Sequence, residues 1–115
     1  MNAEIIKAFA GFTVNGVEIP VRFMRYEGHG EPYIVFSRES DDGSYSGDDS
    51  ILGWVTYYDF DIYSKGNILD IEQAVIDVMQ AAGWTWQPTR SSGDMYEDDT
   101  GYYHVTINFA KERGI

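Results

Sequence analysis

The chain has 115 residues and no Cys, with nine Tyr, three Trp, and 19 acids against 8 bases for a formal charge of −11. That length fits one domain able to bury about two-thirds of its unfolded surface, so neither disulfide staples nor thiolate metal sites are needed, and the absence of Cys excludes both. The acidic balance argues against a surface that grips nucleic acid, which needs Lys and Arg to displace counterions, but it leaves room for DNA to pass a like-charged wall without sticking.

Residues 3–10 fit one or two helical turns with Ile5, Ile6 and Phe9 on a side and Gly11 as the stop. Glu4 and Lys7 break the apolar run, unlike a signal peptide. No apolar stretch reaches the length of a membrane span, so a soluble cytoplasmic product is expected. Asn15-Gly16 lies between two β-prone runs and predicts a two-residue hairpin turn, whose central positions both need positive φ. Pro20 confines its strand to an edge or a short pairing, and residues 21–26 continue as extended chain into a loop over 27–31. Residues 32–38 form a near-continuous apolar run, the pattern of a strand buried on both faces and central in its sheet. From 39 to 53 the chain turns polar, acidic and Gly-rich, with Asp41, Asp42, Asp48 and Asp49. This predicts a long acidic loop or arm, ordered only by a partner.

Residues 54–63 are rich in β-branched and aromatic side chains, with Tyr58, Phe60 and Ile62 on one face and Asp59 and Asp61 on the other. Residues 70–82 read as an amphipathic helix. Asp70 and Gln73 suit a capping box, Ile71, Ala74, Val75, Val78, Met79 and Ala82 form one stripe, and Gly83 suits a left-handed cap. Each large side chain on that stripe contributes roughly 1.5–3 kcal/mol if buried, so the helix must lie on a sheet. Residues 84–86 resume as extended chain, and an acidic turn follows with Asp94, Glu97, Asp98 and Asp99. In the last strand Tyr103, Val105, Ile107 and Phe109 point one way, and Tyr102, His104, Thr106 and Asn108 form a wet face; residues 110–115 read as a tail. The expected fold is α+β, a single domain over 1–115. Its mainly antiparallel sheet is packed by the central amphipathic helix (70–82) and a short N-terminal helix.

Chemistry finds little foothold. His29 lies between glycines and His104 on an outward register, and neither neighbourhood carries a nucleophile elbow. The aspartates of 39–53 lack the spacing of a calcium loop and read as a solvated charged loop. Asp59 and Asp61 mimic a glycosidase pair but suit the solvent side of a sheet. Trp84 and Trp86, one residue apart, suit anchors of the helix end better than a sugar platform. No catalytic, cofactor or metal residue is expected. Tyr57, Tyr63 and Tyr102 on solvent registers suit protein contacts, the alternative being simply a tyrosine-rich sheet.

Several motifs follow in a telling order: Pro32-Tyr33-Ile34-Val35-Phe36, a polar loop, then Tyr58-Asp59-Phe60-Asp61-Ile62-Tyr63 ending at Ser64. Next come the helix ending in Ala82-Gly83, an aromatic strand, an acidic turn and Gly101-Tyr102-Tyr103-His104-Val105. Over residues 32–110 this order resembles the tail terminator and minor tail-component proteins of long-tailed bacteriophages with non-contractile tails. The resemblance implies a sheet flanked by helices and assembled as a hexameric ring. That ring caps the tail tube, ends its polymerisation and joins tail to head, with no cofactor and no catalysis.

The implied partners are further copies of the chain, the tail-tube protein and a head-completion protein of the neck, and no membrane. DNA passes the lumen without specific binding, and the protein is assembled in the host cytoplasm into the virion. On that footing Asp41, Asp42, Asp48 and Asp49, or else Asp94, Glu97, Asp98 and Asp99, face the lumen or the tube, and Tyr57, Tyr63, Tyr102 and His104 lie between subunits. The Asn15-Gly16 hairpin and the short first helix depart from the family pattern. A head-closure or adaptor ring of the neck and a small monomeric ligand-binding module remain as alternatives.

Overall fold

The computed structural model describes residues 2–28, 30–45 and 51–114. His29, Asp48 and Asp49, and with them part of the expected acidic loop, lie outside the described residues. The fold is α+β. Its elements run α1 (Asn2–Ala8), β1 (Thr13–Val14), β2 (Val17–Glu18), β3 (Val21–Phe23), β4 (Tyr33–Tyr45), β5 (Ile51–Ser64), α2 (Ile68–Ala81), β6 (Thr85–Trp86), a 3-10 turn (Pro88–Arg90), β7 (Met95–Glu97) and β8 (Tyr102–Gly114). The main sheet has the order β3-β4-β5-β8-β6, with β7 pairing the start of β8. All of its pairs are antiparallel except β3 with β4.

Local chemistry sets the punctuation. Asn15 and Gly16 take φ of 52° and 80°, the left-handed pair of a type I′ turn, and join β1 to β2. Gly83, at φ 93°, donates its N–H to the Gln80 carbonyl at 3.0 Å, while the Trp84 N–H donates to the Met79 carbonyl at 2.9 Å. Those two bonds make a Schellman end, and Met79 and Trp84, the residues that seal it, are both buried. The other end of α2 differs from expectation. The cap is Asn67, itself left-handed and without a side-chain cap bond, and the helix starts at Ile68. Asp70 lies in the first turn, where its charge suits the helix dipole, and accepts from Asn15 Nδ2 at 3.0 Å. Gln73 bonds Asp77 at 2.9 Å instead of reaching back to a cap.

On the inner face, Ile71, Val75 and Met79 of α2 meet Ile34, Phe36, Phe60, Ile62, Val105, Ile107 and Phe109 of the sheet, all buried. Ile76, off the predicted stripe, is buried too, because α2 also touches α1 and β1. Ile5 of α1 and Phe9, just past the end of that helix, stand one turn apart and are buried. Ile6, expected beside them, is rotated about 100° away and is 53% exposed.

Three further expectations are corrected. Residues 39–45 and 51–53 are strand rather than loop, with Asp41 opposite Thr56, Asp42 opposite Val55 and Gly43 opposite Trp54. Residues 110–114 are strand rather than tail, with Lys111 opposite Thr56 and Arg113 opposite Trp54. These three segments support one another: long-range backbone pairing overrides a composition that by itself favours a loop. The strand after Pro32 does lie inside the sheet, between β3 and β5, but it is not buried on both faces: the outward Tyr33 and Val35 are half-buried. At ~3.3 Å per residue a 13-residue strand spans about 43 Å, twice the ~21 Å of a 14-residue helix. The inner-face core ends near Thr56 and Tyr58, and beyond it β4, β5 and β8 run on as an arm of a molecule 51 × 28 × 23 Å across.

Candidate functional site

No helix among the described residues lies over the outer face of the sheet, and that face carries the chemistry. Nearest the Ser64 end, rings stack across strands. Tyr26 lies 4.5 Å from Tyr33, Tyr33 lies 4.8 Å from Tyr63, and Tyr63 lies 4.2 Å from His104, centroid to centroid and within 20° of parallel. Tyr102 meets Tyr33 and Tyr63 edge-on. Neighbouring strands place these residues in register, so their ring faces cover each other. Burial, and after it the nearby Asp61 charge, pushes the Tyr63 phenol up to about 12.

One step along, the Thr106 hydroxyl donates to Asp61 Oδ1 at 2.6 Å, and His104 Nε2 lies 3.3 Å from the same oxygen. The next layer is a polar knot. A bulge between Arg38 and Ser40 shifts the register of β4, so that Arg38 and Asp41 both face inward and Glu39 reaches across the outer face. Asn108, fully buried, donates from Nδ2 to Glu39 Oε2 at 2.5 Å and to Asp59 Oδ1 at 2.8 Å. Its own Oδ1 is buried without a partner among the described residues. Burial raises the Asp59 carboxyl above the ordinary range despite the Asn108 bond, and the charges of Glu39 and Asp61 add to the rise. Arg90 closes the layer, 2.8 Å from Glu39 and 3.8 Å from Asp42, with its guanidinium 3.7 Å above the Tyr57 ring.

The chain around Arg90 is held to the β8 edge by backbone and serine bonds. Gln87 N–H donates to the Asn108 carbonyl at 2.8 Å, Asn108 N–H to Ser91 Oγ at 3.0 Å, and Ser92 N–H to the Thr106 carbonyl at 2.9 Å. The expected wet face of β8 is therefore partly a second, polar interior. Alternation places Asn108 on that face, but the sequence carries no sign that Glu39, 69 positions away, would meet it.

Tyr57, Tyr63, Tyr102 and His104 all lie on the outer face, half-buried, with Tyr63, Tyr102 and His104 in one aromatic group and Tyr57 beneath Arg90. Asp41 and Asp42 sit on opposite faces of β4. Asp41 accepts from Thr56 Oγ1 at 2.5 Å and lies 3.2 Å from both Arg38 and Arg113. The Thr56 bond first, and then the two arginines, hold its carboxyl below the ordinary range. Asp94, Glu97, Asp98 and Asp99 are exposed around the β7–β8 turn, at the other end of the molecule from Asp41 and Asp42. Two concavities flank these features. A notch of about 400 Å³ is lined by Asn2, Ala3, Arg38, Asp41, Tyr58 and Arg113. A groove of about 490 Å³ lies between the β1–β2 turn and the start of α2, lined by Val14, Val17, Ile19, Pro32 and Ile71 among others.

Among the described residues no hydroxyl bonds His104, so its contact with Asp61 lacks the nucleophile of a hydrolytic triad. No group of three His, Asp or Glu there is placed to hold a metal ion, and no helix is long and apolar enough to cross a membrane. The chain matches no protein-family model and no curated protein.

Proposed function

We propose that the chain is a structural virion protein without catalytic activity, a tail terminator whose copies form a ring. The ring caps the tail tube, ends its polymerisation and joins tail to head. The observation that carries this reading is the one-sided layering: α1 and α2 cover the inner face, while the outer face offers half-buried tyrosines and carboxylates that a second protein can complete. Strong net negative charge suits a wall past which DNA moves without adhering. Purified protein mixed with tail-tube subunits is expected to give ring-capped tubes of arrested length in negative-stain electron microscopy. Tubes that elongate unchanged and pellet without the protein would overturn the reading. Sedimentation with isolated tails rather than with filled heads separates this role from that of a head-closure ring.

The groove beside the start of α2 favours one other reading, a monomeric binding module for a small, largely apolar ligand. That module would saturate with its ligand and leave tube growth untouched.

A further inference from the structure

The arm beyond the core carries a concentration of positive charge that the sequence does not advertise. Arg38 and Arg113, 75 positions apart in the chain, come together because β4 and β8 both pair with β5, Arg38 opposite Tyr58 and Arg113 opposite Trp54. Both lean on a single carboxylate, Asp41, at 3.2 Å each, and Arg113 Nε also donates to Thr56 Oγ1 at 3.0 Å. Among the described residues, two guanidiniums against one carboxylate leave an uncompensated charge. Arg38 Nε and Nη2 and Arg113 Nη1 make no hydrogen bond among the described residues. The side chains remain 60% and 43% exposed, at the mouth of a notch floored by Tyr58, whose hydroxyl donates to Asn2 Oδ1.

At the opposite end stands the complementary element. The turn joining β7 to β8 carries Glu97, Asp98 and Asp99, all exposed, and none of the ion pairs among the described residues includes them. The turn cannot reach the notch of its own chain. β5 alone runs from Trp54, opposite Arg113, to Ser64, opposite Tyr103, which is about 33 Å at ~3.3 Å per residue.

We propose that the Arg38–Arg113 notch receives the Glu97–Asp99 turn of a second copy of this chain, the two arginines gripping its carboxylates. Planar guanidiniums match carboxylates bidentately, and partial exclusion of water by the notch walls strengthens the pairing. Because the two surfaces differ and lie at opposite ends, the contact is head-to-tail and repeats from copy to copy, closing into a ring where the rotation allows. The proposal rests on the self-assembling role given above and names the surface that would carry it.

Sedimentation velocity on the full chain tests it. The wild type is expected to form a larger species that recedes as salt is raised, because exposed ion pairs are screened. Replacing Arg38→Glu with Arg113→Glu is expected to weaken association by about tenfold or more, and so is Asp98→Lys with Asp99→Lys. An equimolar mixture of the two double variants regains association, because each supplies a partner of reversed sign for the other. Circular dichroism on each variant checks that it is folded. Association that ignores both reversals, or a mixture that stays dissociated while each variant is folded, overturns the proposed contact. Tubes still capped by either double variant would refute this surface and leave the terminator role standing. Copies that pair through the notch yet leave tube growth untouched would do the reverse.

Discussion

The two faces of β5 differ by a single step along the chain. Phe60 and Ile62 enter a core of aliphatic and aromatic side chains, while Asp59 and Asp61 meet Asn108, Glu39, His104 and Thr106. The inner face is buried and the outer face half-buried, and different forces hold the two. The inner face gains from non-directional burial that tolerates small shifts. The outer face depends on hydrogen bonds and ring stacking, in which each group has few acceptable partners and an unpaired one costs heavily. An outward register is therefore not the same thing as a free surface.

The largest expected effect breaks the inner face. Phe60→Ala removes a fully buried ring that touches Phe9, Phe36 and Phe109, and is expected to cost about 3–5 kcal/mol in urea unfolding. On the outer face Asn108→Ala should cost about 1–3 kcal/mol, because Glu39 and Asp59 lose their shared donor. Asn108→Asp puts a third carboxylate into the knot and should cost more than the alanine at neutral pH, with the gap closing in acid. A smaller loss for Asp than for Ala would show that the knot is not electrostatically closed.

The Asp59 carboxyl sharpens the contrast through pH. Its folded pKa lies above the ordinary 3.8, so the folded state binds the extra proton, and the contribution to stability is full below 3.8 and lost as pH rises through the folded value. Asp59→Asn is accordingly expected to melt higher than the wild type at pH 7, with the difference vanishing below pH 3.8. Asp41 on the inner face has the opposite sign: its folded pKa lies below 3.8, and its contribution is present above 3.8 and lost as pH falls through the folded value. Gly83→Ala places a Cβ on a residue at φ 93° and should cost about 1 kcal/mol. The smallest effect belongs to Arg25→Ala. It breaks an ion pair with Glu27 whose side chains are 79% and 76% exposed, and a change within about 0.5 kcal/mol is expected in the same unfolding assay.

The sequence by itself determined what depends on near neighbours. Asn15-Gly16 fixed a hairpin turn, Gly83 fixed the end of α2, and the stripe from Ile71 to Met79 fixed which side of that helix is buried. The alternation at 58–62 and 103–109 fixed two of the three long strands. In each case the deciding residues lie within a few positions of one another, so propensity and period suffice. Only the tertiary structure decided that the acidic stretch after Arg38 continues as strand and that the presumed tail pairs beside it. The same holds for the meeting of Asn108 with Glu39 and Asp59, of Arg90 with Tyr57, and of Arg38 with Arg113 at Asp41. Partners in these contacts stand as far as 72 positions apart. Their encounter depends on which strands become neighbours and on a one-residue bulge in β4, and neither leaves a mark in local composition.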